Sequence, residues 1–371
     1  MWLYINILIF LCVCLITGII IPQILFVAFR KQLFDAPDPR KIHKGAVPRL
    51  GGIAFFPAIL FSIFLLVGVS SDIHREQVLF EFQRMLTPLS FIVCSAVIMY
   101  LVGIADDLVG VRYRAKFVAQ ILCASLICAG GIYLNDFHGF LWINKLPMIP
   151  AILITILVCV FITNAINLID GIDGLASGLS GIACCFYAWV LYDARLYLFS
   201  VLAMATLGAL VPFFVYNVWG NVEKHNKIFM GDTGALTIGL ILSVLSFRVC
   251  QLDTAPYSEN PAAIAFAPLL IPGLDVVRVY LHRIRKKRNP FLPDKTHIHH
   301  KLLALGMRQK VAMPVIIITS ALLIIANYVL SSKINITVLF VLDFLFWVVV
   351  NMILTRLIYK REKLTGEKIY N

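Results

Sequence analysis

Five short polar stretches interrupt an otherwise oily chain, and their side chains are of the kinds that bind metals and phosphates. Asp106 and Asp107 close one apolar run, and Arg112, Arg114 and Lys116 follow. Adjacent carboxylates repel unless a cation or a shared proton compensates, so the pair suits a Mg²⁺ site or a general base. A helix end paired with the nearby arginines is the plainer alternative. The next stretch carries Asn164, Asn167, Asp170 and Asp173 at intervals of three, with Gly171 and Gly174 between and after the acids. On a helix that spacing puts Asn164, Asn167 and Asp170 roughly on one face. The stripe offers oxygen ligands for a hard cation and acceptors for a sugar or base; hydrogen bonding between helices is the competing use.

Two glycine-containing stretches and one basic stretch complete the set. Residues 38–52 mix Arg40, Lys41, Lys44 and Arg49 with His43, Pro48, Gly51 and Gly52. They read equally as a phosphate-binding loop or as a basic membrane anchor with a glycine packing surface. Asp232 stands in Gly231-Asp-Thr-Gly234 just before an apolar run. Glycines there let backbone N–H groups approach phosphate oxygens at a helix N-terminus, where the alternative is a simple helix cap. Residues 282–301 hold His282, the basic run 283–288, Asp294 and the cluster His297, His299 and His300. Zinc is disfavoured, because no cysteine is near and the spacing is not that of helical ligands. Imidazoles beside a run of cations suit diphosphate recognition better, with a solvated basic loop as the alternative.

These stretches must be held by the apolar segments between them. Sixty per cent of the 371 residues are apolar and 14% are charged, where a soluble domain carries roughly 25%. Apolar runs recur at about 3–29, 51–69, 87–105, 116–134, 148–166, 174–191, 197–215, 234–250, 262–281, 314–331 and 336–358. Each is near the roughly 20 residues a bilayer crossing needs, and none alternates with a period of two as a barrel strand does. The expectation is an all-α polytopic membrane protein with about 11 transmembrane helices, its whole length 1–371 forming a single domain. Run 3–29 lacks charged side chains and reads as an uncleaved span rather than a signal peptide. The nine cysteines fall in apolar segments or at their ends and read as small buried hydrophobes.

An odd number of crossings sorts the loops into two alternating sets. Of 32 Lys and Arg residues, 26 fall in or beside the loops that hold the polar stretches and six in the other set. The positive-inside bias then puts the N-terminus outside, the C-terminus inside and the polar stretches around a cytoplasmic cleft. The net charge of +12 is thus mostly topology, and nucleic-acid binding is not expected. Acids and cations meeting at the headgroup level imply phosphoryl transfer between a soluble nucleotide donor and a lipid acceptor. A transporter is the rival from another class; it needs acids near the middle of the membrane rather than at one end of the helices.

In order and type, the stretches 43–52, Asp106-Asp107, 164–174, 231–234 and 297–300 resemble the polyprenyl-phosphate N-acetylhexosamine-1-phosphate transferase superfamily. Ile298 interrupts the three successive histidines usual in its MurNAc-pentapeptide branch. The pattern is closer to the bacterial undecaprenyl-phosphate GlcNAc-1-phosphate transferases, with the MurNAc-pentapeptide reaction as the alternative. The resemblance implies Mg²⁺ or Mn²⁺, a UDP-N-acetylhexosamine donor, undecaprenyl phosphate as acceptor, release of UMP, and a multi-pass protein of the bacterial inner membrane; it leaves room for a homodimer. By the same resemblance Asp232 is the principal metal ligand with Asn164 beside it. Asp106 deprotonates the lipid phosphate, and Asp107 supports the metal or the base. Asp170 and Asp173 contact metal or nucleotide, and Lys116 holds the lipid phosphate. Asn217 lies near the uracil, and His297, His299 and His300 bind the donor diphosphate; His43 and Arg49 are expected to bind substrate.

Overall fold

Inside lipid a backbone must close its own hydrogen bonds, and in the computed structural model every one of the apolar runs is helical. Residues 1–34, 47–73, 75–252, 260–287 and 296–366 are described. The helices are α1 Trp2–Lys31, α2 Phe55–Ile73, α3 Arg75–Val109, α4 Tyr113–Ala129, α5 Met148–Ile169, α6 Leu175–Asp193 and α7 Tyr197–Val218. They continue as α8 Gly231–Cys250, α9 Pro261–Phe266, α10 Leu270–Arg285, α11 Ile298–Ala304, α12 Gln309–Leu330 and α13 Ile336–Thr365. Pro268 sits in the short 3₁₀ turn Ala267–Leu269 that separates α9 from α10.

Ten helical segments among the described residues are long and apolar enough to cross a membrane, counting 261–285 as one. The run expected to be the eleventh is α4. It is helical but only 17 residues long, about 25 Å at 1.5 Å per residue. The expected loop 70–86 is largely helix, because α3 starts at Arg75 and runs for 35 residues. The all-α expectation also needs correcting. Residues read as a plain connector form an antiparallel hairpin, β1 Asp136–Phe140 with β2 Ile143–Lys145.

Helix α8 is the hub. All of its residues from Thr233 to Phe247 are buried, and it packs on α3, α5, α6 and α9. Around it, α1, α5, α12 and α13 turn large apolar side chains such as Leu15, Leu157, Leu322 and Phe346 outward, as lipid-facing helices do. The hairpin lies at the far end of α8, where His138 Nε2 is 2.8 Å from the Cys250 carbonyl oxygen. Its other anchor is the Leu141 N–H, which donates to Thr337 Oγ1 at the start of α13. The N-terminus of α8, with Asp232, is therefore about 30 Å from the hairpin.

Candidate active site

The polar stretches that α8 organises gather at that N-terminal end. The backbone of 48–52 runs alongside 229–230. Phe229 N–H donates to the Pro48 carbonyl (2.9 Å), Gly51 N–H to Phe229 (2.9 Å) and Gly52 N–H to Met230 (2.8 Å). Gly52 has no room for a side chain, since a Cβ there would lie 2.0 Å from the backbone nitrogen of Gly234. Gly231 has φ of +74°, and a Cβ on it would lie 2.0 Å from the Arg49 carbonyl oxygen. At Gly52 and Gly231 the glycines therefore serve close backbone packing.

Asp107, at the end of α3, caps α8 from outside. Its Oδ1 accepts the Asp232 N–H (2.7 Å), and its Oδ2 accepts the Thr233 N–H (2.9 Å) and hydroxyl (2.5 Å). The N–H groups expected to face a substrate phosphate are thus taken by a carboxylate, which also suits the positive end of the helix dipole. Through these bonds Asp107 braces the start of α8, while Asp106 beside it turns to Lys116. Asp106 accepts the Val111 N–H (2.6 Å) and the Lys116 ammonium (2.6 Å). Lys116 Nζ is also 3.7 Å from Asp232 Oδ1. One ammonium thus stands between two carboxyls contributed by α3 and α8.

The stripe on α5 meets the same point, one turn later than expected. Asn167 Nδ2 donates to Asp232 Oδ1 (2.5 Å). Asn164, expected beside Asp232, instead gives its amide N–H groups to Gln120 Oε1 (2.6 Å) and the Val160 carbonyl (2.7 Å). Asp170 follows the end of α5, where its N–H donates to the Asn167 carbonyl, and its carboxylate has no hydrogen-bond or ion-pair partner among the described residues. It is open to water at its surface but surrounded by protein. That desolvation, with the charges of Asp232, Asp173 and Asp107, pushes its carboxyl up to about 7 against the opposing pull of Arg49. Arg49 is exposed, and its carbonyl oxygen lies against Gly231, next to Asp232. His43 lies outside the described residues.

Two residues expected to touch nucleotide are engaged internally. Asp173 pairs with the buried Lys227 at 2.6 Å, beside an open polar recess of about 620 Å³ walled also by Trp219, Arg308 and Lys310. Buried Asn217 accepts the Gly174 N–H (2.6 Å) and donates to the Ile228 carbonyl (2.8 Å). It joins the turn after α5 to the approach of α8.

The histidines lie on or just before α11. His297 and His299 are buried and His300 is half-buried. The rings of His297 and His299 are parallel, with centroids 5.8 Å apart, and His299 to His300 is 4.2 Å. His299 rests on Gly171, where a Cβ would come within 2.2 Å of its Nε2. Neither of its ring nitrogens has a hydrogen-bond partner among the described residues, and burial with the neighbouring His300 and His297 charges depresses its pKa well below the usual value. It is therefore neutral at physiological pH. Lys301 is buried against Asn351 and Thr355 of α13, and desolvation with the Arg278 charge lowers it to about 8. The sequence reading missed Asp275, the fully buried partner of His297. Its signal was an acid three residues before Arg278 within the apolar run 262–281.

No group of three His, Cys, Asp or Glu side chains among the described residues stands close enough to hold a metal by itself. Mg²⁺ does not require one, since it keeps several waters and takes one or two carboxylates together with substrate phosphates. Asp232 beside Asp106, and the unpartnered Asp170, are hard oxygen donors in a strongly negative spot that an ammonium already occupies in part. That donor set fits a Mg²⁺-type ion.

Carboxylates of α3 and α8 around the Lys116 ammonium, at one end of a helical membrane bundle, suit phosphoryl transfer. The family model for glycosyl transferase family 4 matches residues 89–249, which span α3 to α8. The chain is 31% identical over 330 residues to a probable undecaprenyl-phosphate N-acetylglucosaminyl 1-phosphate transferase of Bacillus subtilis (strain 168), covering 88% of this chain and 86% of that one. It is 29% identical over 302 residues to the undecaprenyl-phosphate alpha-N-acetylglucosaminyl 1-phosphate transferase of Yersinia pestis (80% and 76% covered). A decaprenyl-phosphate N-acetylglucosaminephosphotransferase of Mycobacterium tuberculosis (strain ATCC 25618 / H37Rv) is 31% identical over 293 residues (73% and 69%). The chain belongs to glycosyl transferase family 4, on the branch of the bacterial undecaprenyl-phosphate GlcNAc-1-phosphate transferases.

Proposed function

We propose that this chain transfers GlcNAc-1-phosphate from UDP-GlcNAc to undecaprenyl phosphate, giving undecaprenyl-diphosphate-GlcNAc and UMP. The reaction would be the first lipid-linked step of an envelope glycan. The single observation that carries the reading is Lys116, shared between Asp106 and Asp232 where α3, α4, α5 and α8 meet. Phosphoryl transfer rests on positioning and charge neutralisation, and that junction supplies both.

In this reading an oxygen of the lipid phosphate attacks the β-phosphorus of the donor, and the bond from that phosphorus to the bridging oxygen of UMP breaks. UMP carries the bonding electrons away. Lys116 draws the lipid phosphate in; as its ammonium turns to that anion, Asp106 is released to take any proton the phosphate still holds. Asp232 and Asp170 would hold Mg²⁺ or Mn²⁺, with Asn167 rather than Asn164 fixing the Asp232 carboxylate. When bound, the ion neutralises the donor diphosphate. Arg49 and His300 face the same phosphates. His299 acts from the protein interior, and Asp173 and Asn217 hold the turn that shapes the nucleotide side.

The membrane orientation belongs to the same proposal. With α4 crossing as an eleventh span, the basic loops and the site face the cytoplasm, where UDP-sugars are soluble. The test is purified protein with undecaprenyl phosphate and a panel of UDP-sugars. UMP release with UDP-GlcNAc is expected. Release only with another UDP-sugar would reassign the donor, and no release with any would reject the reaction.

A further inference from the structure

Asp275 on α10 is the hub of the histidine segment. Its carboxylate is fully buried, 0% exposed, yet it has donors on every side. Oδ2 is 2.9 Å from His297 Nδ1, and Oδ1 accepts from Arg278 Nη2 at 2.8 Å. The Ile298 N–H reaches both oxygens, at 3.1 and 3.2 Å. Arg278 in turn donates to the Thr296 carbonyl. One acid and one guanidinium on α10 therefore hold three consecutive residues, 296–298.

This is more than a way to satisfy a buried charge, because the partner is an imidazole. A carboxylate only accepts, so the nitrogen facing it must carry the proton. Nδ1 of His297 is thus a donor, and Nε2, the other ring nitrogen, can donate to an anion when the ring carries both protons. A buried carboxylate is expensive unless paired and hydrogen-bonded, and an apolar residue of similar size would fill the space at less cost. The acid makes sense if the orientation of His297 matters. The parallel His299 ring then rests on Gly171, next to Asp170, so the hub is coupled through stacked rings to the acidic end of α5.

We propose that Asp275 is a positioning residue for donor binding: by holding Nδ1 of His297 and the N–H of Ile298, it aims Nε2 of His297 at the diphosphate of the nucleotide sugar. The proposal rests on the transferase reading and deepens it. Asp275 does not touch substrate and acts only through His297, which gives it a double-mutant signature that a residue needed merely for folding lacks.

The experiment measures KM for UDP-GlcNAc and kcat, with calorimetric binding of UMP, for wild type, Asp275→Asn, His297→Ala and the double variant, all purified in detergent. Asp275→Asn is expected to raise KM by about tenfold, the scale on which outer-shell partners of oriented histidines act, while kcat changes less. His297→Ala should raise KM similarly, and the double variant should be no worse than the worse single. Additive effects on KM, or an Asp275→Asn protein that melts earlier but keeps wild-type KM, would overturn the proposal. If Asp275→Asn cannot be recovered folded, Asp275→Glu replaces it; a smaller rise in KM, again non-additive with His297→Ala, is expected, and additivity overturns the proposal there too. A wild-type protein that releases no UMP would instead remove the transferase reading itself.

Discussion

Removing the Asp107 carboxylate separates bracing from chemistry at the acid pair. Asp107 accepts three hydrogen bonds from two residues at the start of α8, at 2.5–2.9 Å, and sits at the positive end of the helix. Asp107→Ala leaves two backbone N–H groups and a hydroxyl without their acceptor. A lost N-cap costs about 1 kcal/mol and an unsatisfied donor about 1–3 kcal/mol, with part recovered by water at this half-buried position. A net loss of about 2–3 kcal/mol follows. At the rate of melting-temperature change for large domains, that is a fall of roughly 5 °C. The assay is thermal unfolding in detergent followed by UMP release below the transition. Activity should fall as Asp232 loses its anchor, and Asp107→Asn, which keeps one acceptor oxygen, should recover part of both losses. A variant with wild-type melting behaviour and no turnover would refute the brace and make Asp107 a reacting group.

Other outcomes follow from the same geometry. Chelation with EDTA should abolish UMP release, and Mg²⁺ or Mn²⁺ should restore it; turnover that survives chelation contradicts the role given to Asp232 and Asp170. The Asp170 carboxyl, raised to about 7 from an ordinary 3.8, keeps a proton that the unfolded chain has already lost. In metal-free protein its contribution to stability therefore declines as pH rises from about 4 to about 7, and Asp170→Asn should flatten that part of a melting-temperature profile. Gly52→Val should fail to give folded protein, because a Cβ there would lie 2.0 Å from the Gly234 nitrogen; a folded, active variant would show that the 48–52 backbone can move away from α8.

The helices and the gathering of acids at one end were legible in the sequence because lipid imposes them. A charge is tolerated at the end of an apolar run, so Asp106, Asp170 and Asp232 mark ends, and ends of alternate helices share a side. What escaped was set by packing between helices. Asn164 and Asn167 lie on nearly the same face of α5, and only the depth at which α8 begins decides that Asn167 meets Asp232. The cap that Asp107 forms was not legible because nothing in its own neighbourhood names the helix it caps, 125 residues away. Asp275 was passed over because a lone acid near the end of an apolar run looks like a boundary; its partner is 22 residues further on. The hairpin 136–145 was invisible because its strands have five and three residues, and its turn places Leu141 and Trp142 at positive φ, where those side chains are rarely found.

The central claim is that the phosphorus next to the sugar moves with it. Purified protein supplied with undecaprenyl phosphate and UDP-GlcNAc labelled at the β-phosphorus decides this directly. The account predicts that the label enters the organic-extractable lipid in step with UMP release, and that Asp232→Asn abolishes both. Label left in water-soluble UDP, with only the sugar reaching the lipid, would contradict it.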